Sequence, residues 1–274
     1  MLKHRVWTAI ALLLVFVAVL LAPWQVFVGF VWVVMFVATW EWSALTGLRY
    51  LWQRYAYVAF SLLLFGLASF FVLWSKQSTH VKTVAIIGVV WWALALLWIQ
   101  GYPSSRILWR SPLARMVMGW AVLIPAFLCC QYLVLSKYGP VSILAVVAIV
   151  AAADIGGYFF GRAFGKHKLA PKVSPGKSWE GVFGGVVAVL TLGLIINYLF
   201  IHISVASSVA TLLAVGLVSV VGDLLESMVK RESGVKDSGS ILPGHGGVLD
   251  RIDGLVAALP VFTLALIHIY SQGA

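Results

Sequence analysis

The chain has 274 residues, of which 62% are hydrophobic and only 10% charged, with a mean hydropathy of +1.01. That balance excludes an ordinary water-soluble domain. The net charge of +10 is read below as membrane topology, with no nucleic-acid partner expected.

In chain order, the hydrophobic residues form nine blocks: 6–22, 25–42, 56–75, 83–99, 114–135, 140–160, 182–202, 205–226 and 254–271. Each is about 17–22 residues, long enough to cross a bilayer core. Backbone polar groups in lipid must be satisfied within the segment, so each block is predicted to be a helix. The first two are separated only at Ala22-Pro23-Trp24, where a tight hairpin is expected. Lys3, His4 and Arg5 precede the first block as in a secretory leader. The apolar run is too long for one, and Leu21-Ala22-Pro23 is a poor cleavage site, so a retained helix is expected.

The predicted architecture is an all-α, polytopic integral membrane protein of about nine transmembrane helices with a cytoplasmic N-terminus. In that orientation 16 of the 19 Lys and Arg residues lie inside and only Lys76, Lys82 and Lys137 outside, as the positive-inside rule requires. Cys129 and Cys130 are adjacent within the fifth block and read as small apolar filler rather than a redox pair.

Acidic residues divide the chain. Eight of the nine fall between Asp154 and Asp253, and Glu41 alone lies earlier. Residues 1–138 therefore read as an N-terminal scaffold of about five spans. Residues 139–274 read as a catalytic membrane region of about four spans with cytoplasmic loops 161–181 and 227–253.

Asp154 interrupts the sixth block about 9 Å from its cytoplasmic end at helical rise. A carboxylate at that depth faces a cavity or a partner. Gly157, Gly161 and Gly165 follow at every fourth position, which permits close helix packing. Lys166, Lys168, Lys172 and Lys177 then alternate with Pro171 and Pro175, so this segment is expected to be a loop. With Ser174, Gly176 and Ser178 it could hold phosphates, although it lacks P-loop spacing.

The eighth block ends in "GDLLESMVKRE", which places Asp223, Glu226, Ser227 and Lys230 on one helical face. Asp250 and Asp253 lie just before the ninth block, at the level of Asp223. Carboxylates gathered at one level suit a hard cation such as Mg²⁺, with a helix cap as the plainer reading of Asp253. Gly244, Gly246 and Gly247 would allow close backbone approach. His245 would either donate to a phosphate or fix the loop. Together these residues describe a metal–phosphate site at the membrane surface, where a soluble phosphorylated substrate meets a lipid one.

From Ser227 the chain reads "SMVKRESGVKDSGSILPGHGGVLDRID", which resembles the hallmark motif of the phosphatidate cytidylyltransferases (CDP-diacylglycerol synthases). The upstream "ADIGGYFFGRAFGKHKLAPKVSPGKSWEGVFGG" is similar to that family's second common block, most like its proteobacterial members. The resemblance implies transfer of CMP from CTP to phosphatidic acid, giving CDP-diacylglycerol and pyrophosphate. It implies Asp223 and Asp250 as a Mg²⁺-binding pair with Asp253 nearby, and leaves room for a second, monovalent cation. Ser227, Lys230, Arg231, Lys236 and Arg251 would meet phosphates. Lys172, Ser174, Lys177 and Ser178 would contact nucleotide or lipid headgroup, and Asp154, Asp237, His245, Gly246 and Gly247 complete the expected substrate site. The resemblance further implies a homodimer in the bacterial inner membrane with its active site on the cytoplasmic side. A CTP-dependent polyprenol or lipid kinase is the nearer alternative, a cation-coupled transporter the more distant one. The common pattern of the CDP-alcohol phosphotransferases is absent.

Overall fold

A backbone surrounded by lipid has no water to bond, so each apolar block closes its own hydrogen bonds as a helix. The computed structural model describes residues 2–74, 78–242, 244 and 246–271. Its helices are α1 (Leu2–Leu21), α2 (Trp24–Leu45), α3 (Leu51–Trp74), α4 (Ser78–Gln100), a short α5 (Arg106–Trp109), α6 (Pro112–Leu135), α7 (Gly139–Phe164), α8 (Trp179–Ile196), α9 (Val205–Glu232) and α10 (Leu249–Ser271). Among the described residues, eight helices are long and apolar enough to cross a membrane. The ninth expected span corresponds to α1, of which Ile10–Leu21 is the apolar part among the described residues. The protein is an all-α, multi-pass membrane protein.

Local chemistry sets the helix ends. Pro23 stands between α1 and α2 in an extended conformation (φ −53°, ψ 145°). Its fixed φ and missing N–H stop one helix and admit the next. Ser111 caps α6 by accepting from the Ala114 N–H at 3.2 Å, with Pro112 behind it. Beyond α8, a π turn over Asn197–Ile201 closes on His202 in the left-handed region (φ 61°). The Asn197 side chain fixes it by bonding both backbone groups of Ile203.

Helix α6 is the most enclosed span, with 72% of its apolar window buried, and it packs against α2, α3, α4 and α10. Aromatic rings fill this centre, Trp32 meeting Phe127 edge-on at 4.8 Å and Tyr57 stacking on Trp120 at 5.6 Å. A polar knot ties this bundle to the end of α9. Arg115 donates to the Leu45 carbonyl at 3.1 Å and to Ser233 at 3.3 Å. Glu232 accepts from Arg106 at 2.6 Å and from Arg115 at 3.5 Å.

Helices α7 and α8 approach each other closely, and glycine makes this possible. A Cβ on Gly156 would fall 2.5 Å from the Gly184 carbonyl, and one on Gly181 would fall 2.9 Å from the Gly157 carbonyl. The four-residue glycine spacing read from the sequence thus lies in a helix seam.

Two segments differ from their sequence reading. Residues 161–181, expected as a loop, continue α7 to Phe164 and then form an antiparallel hairpin, β1 (Lys168–Ala170) with β2 (Ser174–Ser178). Lys168 pairs with Ser178 and Ala170 with Ser174. So short a hairpin is marginal alone and is held by its neighbours. Glu180 accepts from the backbone N–H groups of Lys166 and His167 at 3.1 and 3.2 Å, and Trp179 N–H bonds the His167 carbonyl at 2.9 Å. The second difference is where the expected 227–253 loop begins: α9 runs to Glu232, so the face shared by Asp223, Glu226, Ser227 and Lys230 is helical as read, and the loop starts only at Ser233.

Candidate active site

The α7–α8 seam opens towards α9 into a cavity of about 690 Å³, closed over by β2 and the start of α10. Part of its lining is apolar, with Val182, Val186, Leu217 and Val220, and part is charged. Asp154 of α7, Asp223 of α9, and Asp250 and Asp253 of α10 all line it, together with Asp237, Lys177, Lys230 and Arg251. Residues from four elements and 100 positions of sequence are thereby gathered around one space.

The charges are paired in a definite way. Lys177 of β2 bridges to Asp223 at 2.6 Å, with both side chains partly exposed. Ser227, one turn on, donates to the other Asp223 oxygen at 3.1 Å. Lys230 is deeper. It meets Asp250 at 2.5 Å and Glu226 at 3.2 Å, and Glu226 is only 3% exposed. The second Asp250 oxygen accepts from the N–H groups of Ser238 at 3.0 Å and Gly247 at 2.8 Å. Asp253 accepts from the Gly254 N–H at 2.7 Å.

The hairpin is docked by two of the expected phosphate contacts. Lys177 holds it to Asp223, and Arg231 donates to the Val173 carbonyl at 3.3 Å. Ser174, Lys177 and Ser178 line the cavity, Ser178 also capping α8 by accepting from Gly181 N–H at 3.2 Å. Lys172, Ser227, Arg231, Lys236, Gly246 and Gly247 stand outside the lining. Of these, Lys172, Arg231 and Lys236 are exposed.

Packing within the protein accounts for the glycines of the 244–247 turn. Gly244 and Gly246 have positive φ, 77° and 81°, in a turn closed by Leu242 N–H on the Gly246 carbonyl at 3.0 Å. A Cβ on Gly246 would crowd Asp250 at 2.8 Å. His245 and Pro243 lie outside the described residues.

Among the described residues, no group of three or more His, Cys, Asp or Glu side chains is arranged to hold a metal. The donors still fit a Mg²⁺ ion, which binds through one or two carboxylates and completes its shell with water and substrate phosphate oxygens. Asp223 and Asp250, both in the cavity lining with Asp253, are the carboxylates that would supply such a pair.

The residue that sequence reasoning missed is Glu41. It sits on α2, in the half read as scaffold, and is 2% exposed. Its carboxylate accepts from Val248 N–H at 3.0 Å, Leu249 N–H at 2.7 Å and Ser238 Oγ at 3.3 Å. The available signal was its isolation, as a lone acid embedded in an apolar span.

Comparison with known proteins gives the family. The sequence model of the cytidylyltransferase family matches residues 3–269. A phosphatidate cytidylyltransferase of Pseudomonas aeruginosa is 44% identical over 272 residues, covering 97% of each chain. One of Haemophilus influenzae is 40% identical over 293 aligned positions, covering 96% of this chain and 98% of its own. One of Brucella melitensis is 48% identical over 127 residues, about 46% of this chain. With the match running through every helix that builds the cavity, the chain belongs to the cytidylyltransferase family.

Proposed function

We infer that the protein is a nucleotidyltransferase that moves CMP from CTP to phosphatidic acid, leaving CDP-diacylglycerol in the membrane and releasing pyrophosphate. The full-length similarity to phosphatidate cytidylyltransferases supports this reading. The structural observation that carries it is the double lining of one cavity. The ammonium groups, and the carboxylates through a bound cation, suit phosphates, and Val182, Val186, Leu217 and Val220 suit the apolar part of a lipid.

In this chemistry the nucleophile is a phosphate oxygen of phosphatidic acid, already ionised. It forms a bond to the α-phosphorus of CTP as the bond to the pyrophosphate oxygen breaks. No serine or cysteine nucleophile is required, and the protein contributes positioning and charge neutralisation. Lys177 from β2 and Arg251 from α10 both line the cavity, where they would meet the triphosphate. Lys230, held between Asp250 and Glu226, fixes Asp250 in place. We assign Asp223 and Asp250 as the pair that would hold Mg²⁺, with Asp253 adjacent. Such a cation, when bound, would neutralise charge on the α-phosphate and the departing pyrophosphate. Lys177 would then exchange Asp223 for a phosphate oxygen. Ser174 and Ser178 on the hairpin, and Asp154 and Asp237 on the walls, complete the proposed substrate surface.

The positive-inside distribution supports a cytoplasmic face for this site in the bacterial inner membrane. The family resemblance supports a homodimer, which mass photometry in nanodiscs would count directly. Pyrophosphate release by the purified protein in mixed micelles tests the reaction. It should require CTP and phosphatidic acid together, and release with either alone would contradict the reading.

A further inference from the structure

The part of the chain that looks like inert scaffold reaches the cavity through one side chain. Burying a carboxylate in a membrane helix is costly unless donors surround it. Glu41 has three, and all come from residues 197 to 208 positions away: Ser238, Val248 and Leu249. Leu249 is the first residue of α10. The N–H groups at a helix start have no partner within the helix, and a negative charge there is favoured by the helix dipole. Glu41 therefore caps α10 from another helix.

The fit leaves no slack. A Cβ added to Gly239 or Gly247 would collide with the Glu41 carboxylate. Ser238 is gripped twice, its hydroxyl by Glu41 and its N–H by Asp250. Asp250, Arg251 and Asp253, all on the cavity wall, follow Leu249 within four residues. Glu41 itself does not line the cavity.

We propose that Glu41 is a positioning residue for the transfer reaction: from α2 it clamps Ser238, Val248 and Leu249, and so sets the height and rotation of the α10 turn that presents Asp250, Arg251 and Asp253. This rests on the nucleotidyl-transfer reading for its kinetic consequence, and on the hydrogen bonds alone for its structural one. In Glu41→Gln the side chain keeps its length, but its amide NH₂ faces backbone donors in place of an acceptor oxygen.

The test combines kinetics with hydrogen exchange on the full chain in nanodiscs. Glu41→Gln should lower kcat about 10- to 100-fold, the scale of a misplacement near 1 Å. The KM for phosphatidic acid should stay within about threefold, because Glu41 touches no substrate. Amide exchange should quicken at Val248 and Leu249 and stay unchanged along α7 and α8. Gly239→Ala should also lower kcat, and should add no loss when combined with Glu41→Ala, since the collision it creates is with Glu41. An active wild type with Glu41→Gln at full kcat overturns the proposal, as does a fall in kcat without faster exchange at 248–249. Should Glu41→Gln fail to fold, Gly239→Ala keeps the carboxylate and decides alone: full activity there refutes the clamp. A wild type that transfers no CMP would instead count against the reaction itself, while the exchange measurement still judges the clamp.

Discussion

Asp223 and Asp250 share an expected role, yet they are held differently, and substitution should separate them. Asp223 is 32% exposed and its Lys177 partner 25%, so the pair contributes little to stability. Asp223→Asn should keep the fold and lower kcat by about 10²–10³, as loss of one preorganised charge does in comparable sites. Asp250 is 7% exposed and its partner Lys230 11%. Removing one member of such a buried pair costs about 3–5 kcal/mol, and Asp250 also holds two backbone N–H groups. Asp250→Asn should therefore lower both the thermal midpoint in detergent and the turnover. Equal midpoints for the two variants would contradict this distinction. The acids between Asp154 and Asp253 were legible because a carboxylate in an apolar run stands out. Glu41 stood out equally, but its partners are some 200 positions away, and no local pattern links them.

At the scale of elements, the α7–α8 seam gives the clearest expectation. Gly156→Ala would set a Cβ 2.5 Å from the Gly184 carbonyl, and overpacking of this kind costs about 1–3 kcal/mol. Gly29, on α2, has nothing within 4 Å of its added Cβ, so Gly29→Ala should not lower the midpoint. Thermal unfolding of the two variants side by side checks the contrast. The glycine spacing made this seam readable in the sequence. The β1–β2 hairpin was unreadable, because Lys and Pro alternate through it and its stability comes from Arg231, Asp223 and Glu180 outside or beside the strands. The expected 227–253 loop starts later for a related reason. Hydropathy reports contact with lipid, whereas hydrogen bonding carries α9 on through Lys230 and Arg231 to Glu232.

At the scale of the molecule, the order of the spans and eight of the nine expected ones followed from block length alone, since lipid leaves the backbone so few choices. Orientation is a separate expectation, and chemical labelling can read it. Cysteine in place of Lys137 should react with an impermeant maleimide in intact cells, whereas cysteine in place of Lys236 should react only after lysis. Native Cys129 and Cys130 are buried and should stay silent in both cases. The reverse pattern would place the cavity on the outer side. What the molecule does with the cavity is tested most directly by CTP labelled separately at the α- and γ-phosphates, incubated with purified protein, Mg²⁺ and phosphatidic acid in mixed micelles. The α-label should enter the lipid fraction, with EDTA abolishing the transfer, while the γ-label leaves as pyrophosphate. Entry of the γ-label into the lipid would contradict nucleotidyl transfer and mark a CTP-dependent lipid kinase.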